Sequence, residues 1–144
     1  MGLTLKEYQN YLYDNKSLVL ATVTEDTTPN LRHIGGYSID GTDIVFQTSK
    51  GTDKTVDIKN NSSVAAVFQH EGQQSLKNIT VYGKANELGG DEVEKAVELI
   101  KERRPQLNYN SEINVIYKIH VERIKKLDFS SEEKQVEIKA EDLV

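Results

Sequence analysis

The sequence predicts a mainly β domain, an antiparallel barrel or sandwich of six strands with three helices at its edges. Three observations predict it. Six stretches rich in β-formers recur, over residues 17–24, 31–38, 43–48, 64–69, 78–88 and 113–129. Several are joined by short turns, as antiparallel neighbours are. The helical stretches do not alternate regularly with strands, as a doubly wound parallel sheet would require.

Taken in order, Thr4 and Glu7 have the spacing of a capping box, and Leu5, Tyr8, Tyr11 and Leu12 then share one helical face to about residue 15. Residues 17–24 form the first strand, and Pro29 and Asn30 turn the chain. The second strand, 31–38, is interrupted by Gly35 and Gly36, which mark a bulge or a close approach by a ligand. Asp40 and Gly41 make a hairpin turn into 43–48. A short helix over 52–60 and a buried strand over 64–69 follow, then a polar loop over 70–75. Over 78–88, Ile79, Val81, Gly83 and Ala85 alternate with Thr80, Tyr82, Lys84 and Asn86, the signature of a two-faced strand. Val93, Ala96, Val97 and Ile100 give 91–104 an apolar helical face, which Pro105 ends. The last strand spans 113–129. Residues 1–129 make the domain, and the charged tail, 130–144, reads as an exposed appendage.

At 144 residues such a domain can bury roughly two-thirds of its unfolded surface. No apolar run approaches the ~20 residues that span a bilayer, and the first residues lack the basic and apolar regions of a signal peptide. A soluble cytoplasmic protein is expected, with no membrane partner. The absence of Cys excludes disulfides and thiolate chemistry. A net charge of −5 argues against nucleic acid as the main partner.

The chemistry centres on residues 43–60. A strand ending in Gln47, Thr48 and Ser49, then Gly51 and Thr52 at a helix start, forms an anion cradle: free backbone N–H groups and the helix dipole face the ligand. Lys54 adds a point charge. The competing reading is an ordinary strand–turn–helix with Thr52 as N-cap. His33, His70 and His120 have no metal-ligand spacing, and His33, before the two glycines, is the best placed to meet a ligand. No Ser, Thr or paired carboxylate sits in a recognisable catalytic motif, so an enzyme of this sequence would leave its chemistry to a cofactor.

Three segments in this order, P-N-L-R-H-I-G-G-Y, V-F-Q-T-S-K-G-T-D-K and I-T-V-Y-G-K-A, resemble the pyridoxamine-phosphate-oxidase-like family of FMN-binding split barrels. The resemblance covers residues 17–88 and, loosely, the last strand. It implies a six-stranded split β-barrel, FMN as cofactor and a homodimer with the flavin at the subunit interface. It places Arg32, His33, Ile34 and Gly35 along the flavin, and Gln47, Thr48 and Ser49 at its ring and phosphate. Thr52 and Lys54 go to the phosphate, where Asp53 stands in place of the first member of the family's basic pair. Lys77 and Asn78 would reach the flavin across the dimer. Tyr37 occupies the family's substrate-lysine position, and Trp is absent, so the resemblance implies the general-stress or nitroimidazole-resistance branch rather than vitamin B6 oxidation. The function implied is flavin-mediated reduction of a small molecule by a nicotinamide donor. The alternatives are a non-catalytic flavin-binding stress or sensor protein, and a haem or deazaflavin binder.

Overall fold

A computed structural model describes residues 2–70 and 77–144. The loop expected over 70–75 falls, apart from His70, outside the described residues. Helix α1 (Leu5–Asp14) starts as the capping pattern predicts, with Thr4 Oγ1 accepting the Glu7 N–H at 3.1 Å. Its apolar face buries Tyr8, Tyr11 and Leu12. Strand β1 (Leu18–Val23) alternates buried and half-buried residues. The single strand expected over 31–38 is two strands, β2 (Pro29–Ile34) and β3 (Tyr37–Asp40). The chain changes partner at the two glycines, because β2 pairs with β1 while β3 pairs with β4 (Asp43–Ser49). Gly36 fits there because a Cβ would lie 2.7 Å from Leu107 Cδ2.

Helix α2 (Asp53–Asn60), β5 (Ser63–Phe68), β6 (Lys77–Glu87), α3 (Asp91–Arg103) and β7 (Asn114–Asp128) fall within about two residues of the stretches expected for them. The tail is not an exposed appendage. Gln135–Lys139 forms β8, antiparallel to β7, and Ala140 and Leu143 are buried in the main core. The alternation in Q-V-E-I-K, polar out and apolar in, is the signal that marks this strand. The sheet therefore has eight strands rather than six.

All pairings are antiparallel, in the order β2-β1-β5-β6-β7-β4-β3, with β8 beside β7. The ends of that path, β2 and β3, are joined by only two residues, so the sheet must curl round until they meet. The concave side holds the core, including Leu18, Leu20, Phe46, Phe68, Ile79, Val81 and Ile119. Helix α3 covers part of the outside through Ala96 and Ile100, packed with Val45 and Ile116.

Candidate functional site

The site is built where β4 hands the chain to α2. Gly51 takes a left-handed turn (φ +74°), which a residue with a side chain would strain. Thr52 occupies the N-cap position, but its hydroxyl donates to the Ser49 carbonyl (3.1 Å) and no side chain caps the helix. The competing reading of Thr52 as an ordinary N-cap thus fails at its hydroxyl. The first-turn amides of α2 are left without a side-chain acceptor, an arrangement that favours an anion.

Two cations stand at this helix start. Lys54 Nζ lies 3.3 Å from Thr52 Oγ1. Burial, then the charge of Arg32, push its ammonium below the ordinary lysine range. Among the described residues no carboxylate lies within ion-pair distance of Lys54. Arg32 arrives from β2. Its Nη1 donates to Thr22 Oγ1 at 2.6 Å, and its Nη2 lies 3.7 Å from Asp57 Oδ2. Asp57, buried on α2, also accepts from Thr22 Oγ1 (2.7 Å) and Asn30 Nδ2 (3.0 Å). Three elements thus hold one guanidinium beside Lys54.

Two cavities meet at Lys54. One, of about 300 Å³, is lined by His33, Ile34, Gly35, Gly36, Gln47, Thr48 and Ser49 together with Lys54, Leu107 and Asn114. The other, of about 480 Å³, lies between Arg32 with its β2 neighbours and Thr52, Asp53 and Lys54. The residues expected from β2, β4 and the start of α2 are therefore together. Lys77 and Asn78 line neither cavity. Lys77 pairs with Glu7 at 3.6 Å and sits 4.8 Å from the Tyr11 ring centroid.

Tyr37 needs a correction. Its side chain is fully buried, and its hydroxyl donates to the carbonyls of Leu12 (2.7 Å) and Asn15 (3.0 Å). Burial is the main reason its phenol is pushed up to about 12. A ring held inside the core has no surface to offer a substrate, so Tyr37 is a core residue.

Sequence reasoning missed Thr22, Asn30 and Asp57, because one polar residue on a strand or helix carries no signal of its partners. It also missed Arg103, which reaches from α3 to four main-chain carbonyls around the β2–β3 link. The histidines do not converge. His33 edges the cavity, His70 stacks on Tyr11 with ring centroids 4.1 Å apart, and His120 lies 3.3 Å from Asp43.

The Asn30 and Thr22 hydrogen bonds and the charge of Arg32 hold the Asp57 carboxyl below the usual range, against the opposing effect of burial. A carboxyl depressed in the folded state contributes stability that is complete above its unfolded pKa and lost as pH falls through its folded pKa. Asp57→Asn should therefore flatten the acid limb. Between neutral pH and about pH 3, the urea midpoint of the parent should fall further than that of the variant. Equal falls would show that this carboxylate is not the coupled group.

No helix among the described residues is long and apolar enough to cross a membrane. A search of curated protein sequences returns no match. Solved structures share the fold. A heme binding protein from Mycobacterium smegmatis aligns with a TM-score of 0.74 at 15% identity, over 98% of this chain and 60% of that one. General Stress Protein 26 from Bacillus anthracis aligns at 0.71 and 16%, over 93% of this chain and 96% of that one. HupZ from Group A Streptococcus aligns at 0.70 and 18%, over 85% of this chain and 93% of that one. At such identities the likeness establishes the split-barrel fold and nothing finer. The sequence model described as Pyridoxamine 5'-phosphate oxidase matches residues 4–128. A match over most of the chain, carried on the curled antiparallel sheet just described, makes this protein a member of the pyridoxamine 5'-phosphate oxidase family.

Proposed function

We propose that the chain binds FMN in the two cavities that meet at Lys54, and that it works as a cytoplasmic homodimer reducing a small molecule with electrons from a nicotinamide. The observation that carries this reading is the pairing of Arg32 with Lys54 at an uncapped helix start. An ammonium desolvated beside a second cation, with no carboxylate within ion-pair distance among the described residues, is relieved by an arriving phosphate. Arg32 also answers the substitution at Asp53: the second cation comes from β2 instead of the helix. The isoalloxazine would lie along His33, Ile34, Gly35 and Gln47, with Thr48, Ser49 and Thr52 as polar contacts. FMN, when bound, supplies hydride acceptance and delivery. The residues present supply binding and orientation.

The dimer reading rests on the outer sheet face. Register places Leu31, Ala21, Ala65 and Tyr82 in one row across β2, β1, β5 and β6, and His33, Val19, Val67 and Thr80 in the next. Leu31 is 70% exposed. A second copy seated there would bury this apolar face and adjoin the cavity at His33, where the partner's Lys77 and Asn78 can reach the flavin. Ala65→Arg should give monomers in sedimentation at micromolar concentration and weaken FMN binding. A dimer that survives the change would move the interface elsewhere.

Lys54→Ala tests the phosphate assignment. A charge-assisted contact of roughly 1.5–3 kcal/mol corresponds to about 10- to 100-fold in affinity. FMN should bind the variant that much more weakly, while riboflavin, which lacks the phosphate, binds both proteins equally. Asp53→Arg should tighten FMN alone. FMN affinity untouched by Lys54→Ala would remove Lys54 from the phosphate site. Stopped-flow mixing of the FMN-loaded protein with NADH and NADPH separates enzyme from binder, since no reduction faster than that of free FMN marks a flavin-binding stress or sensor protein. His33, exposed at the cavity edge, keeps a haem reading open, and the absorption spectrum of the purified protein decides between the two.

A further inference from the structure

A cavity larger than either of those at Lys54 lies elsewhere. About 640 Å³ opens on the other flank of α2, between that helix, the Lys50–Gly51 turn and the paired ends of β6 and β7. It shares no lining residue with the two cavities at Lys54. Its floor is apolar: Ile58, Ala85, Val115 and Tyr117 line it, each at most 7% exposed.

Tyr117 is the informative residue. Its ring stacks on Phe46, with centroids 5.5 Å apart and planes 16° apart. Its hydroxyl has no hydrogen-bond partner among the described residues. Burial, and then the charge of Glu87, push the phenol above its ordinary value and keep it a donor. The residue as a whole is 6% exposed, and its hydroxyl, which is not among the fully buried polar atoms, opens onto the cavity where an occupant's acceptor can meet it. Two lysines, Lys50 and Lys59, line the same cavity, and among the described residues neither has a carboxylate within ion-pair distance. Against them stands Glu87 alone. Two positive charges and one negative favour a single negative charge on the occupant and disfavour two.

We propose that this groove is a second ligand site, for a small planar aromatic monocarboxylate. The ring would lie over the apolar floor and the carboxylate would accept from Tyr117 and a lysine. The volume lies within the range of small-molecule sites. The site is independent of the FMN reading, because α2 separates it from the cavities at Lys54.

The test uses 2-naphthoate, with 2-naphthalenemethanol as its neutral counterpart, titrated into the full chain with and without FMN. Methyl shifts of Ile58, Ala85 and Val115 report this groove, and shifts of Ile34 and Leu107 report the other cavity. Naphthoate should give a saturable shift at the first set only, with the same midpoint whether or not FMN is present. Lys50→Ala combined with Lys59→Ala should weaken naphthoate about 10-fold and leave the alcohol unchanged. Tyr117→Phe, which removes no bond between described residues, should weaken naphthoate roughly 5-fold. The proposal is overturned if no saturable shift occurs below millimolar naphthoate, as when a second copy fills the groove. It is equally overturned by shifts at Ile34 and Leu107, or by variants that bind as the parent does. A protein that fails to bind FMN but shows the naphthoate pattern would sink the FMN reading and leave this one standing.

Discussion

Gly83→Ala should destabilise the protein by about 3 kcal/mol, the upper part of the range for forced overpacking. Gly83 lies where β6 and β7 slip register: Tyr82 pairs with Arg123 but Gly83 with Val121, which leaves Glu122 as an extra residue on β7. A Cβ on Gly83 would stand 2.1 Å from the His120 carbonyl oxygen and 3.1 Å from Val121 Cα. These are backbone atoms of a central strand, so no rotamer change relieves the clash. The bulge has an architectural consequence. Before it β7 pairs with β4, as far as Ile119, and after it β7 pairs with β8, from Arg123 onward. Straightening the ladder would therefore set both outer pairings against each other. The urea midpoint should drop with an unchanged slope, and the melting temperature should fall by about 6–12 °C for a chain of this size. A loss below about 1 kcal/mol would mean that the two strands can slide past the added methyl.

Arg103→Met should cost about 2–4 kcal/mol, since it keeps the apolar stem and removes every donor. Arg103 donates through Nε to the Tyr13 carbonyl (2.8 Å) and through Nη1 to those of Gly35 (3.0 Å) and Tyr37 (3.2 Å). Its Nη2 donates to the Asn15 carbonyl, and its guanidinium carbon lies 3.8 Å from the Tyr37 ring centroid. One side chain from α3 therefore ties the end of α1 to the link between β2 and β3. Arg103→Lys should recover only part of the loss, because an ammonium cannot span carbonyls on three segments as a planar fork does. The change should also weaken FMN binding, because Gly35 is a cavity residue and Arg103 holds its carbonyl. Arg103 lines no described cavity, so that loss would act through the backbone. A Lys variant as stable as the parent would reduce Arg103 to a surface contact.

Much of this architecture can be read directly from residue order. The capping pattern at Thr4 and Glu7, the alternation along 78–88 and the apolar stripe of 91–104 are local, with periods of 2 and 3.6 residues that sequence displays. The cradle at the end of β4 is local too, because its hydroxyls, glycine and lysine adjoin in the chain. Errors arose where a residue's fate depended on a distant partner. One strand over 31–38 became two because β1 and β4 compete for its halves. The charged tail became β8 because β7 had a free edge after its bulge.

The same division runs through the site. Sequence alone determined that a strand would end in hydroxyls, a glycine turn and a lysine at a helix start over residues 47–54, because neighbours in the chain fix the geometry of a turn and a helix start. Only the tertiary structure decided that Arg32 stands beside Lys54 under the hold of Thr22, Asn30 and Asp57. Only it decided that Tyr37 belongs to the core and that Arg103 holds the link beside the cavity. Hydrogen bonds and charge pairs act over about 3–4 Å in space with no regard to separation along the chain, so no period or motif in a single sequence can announce them.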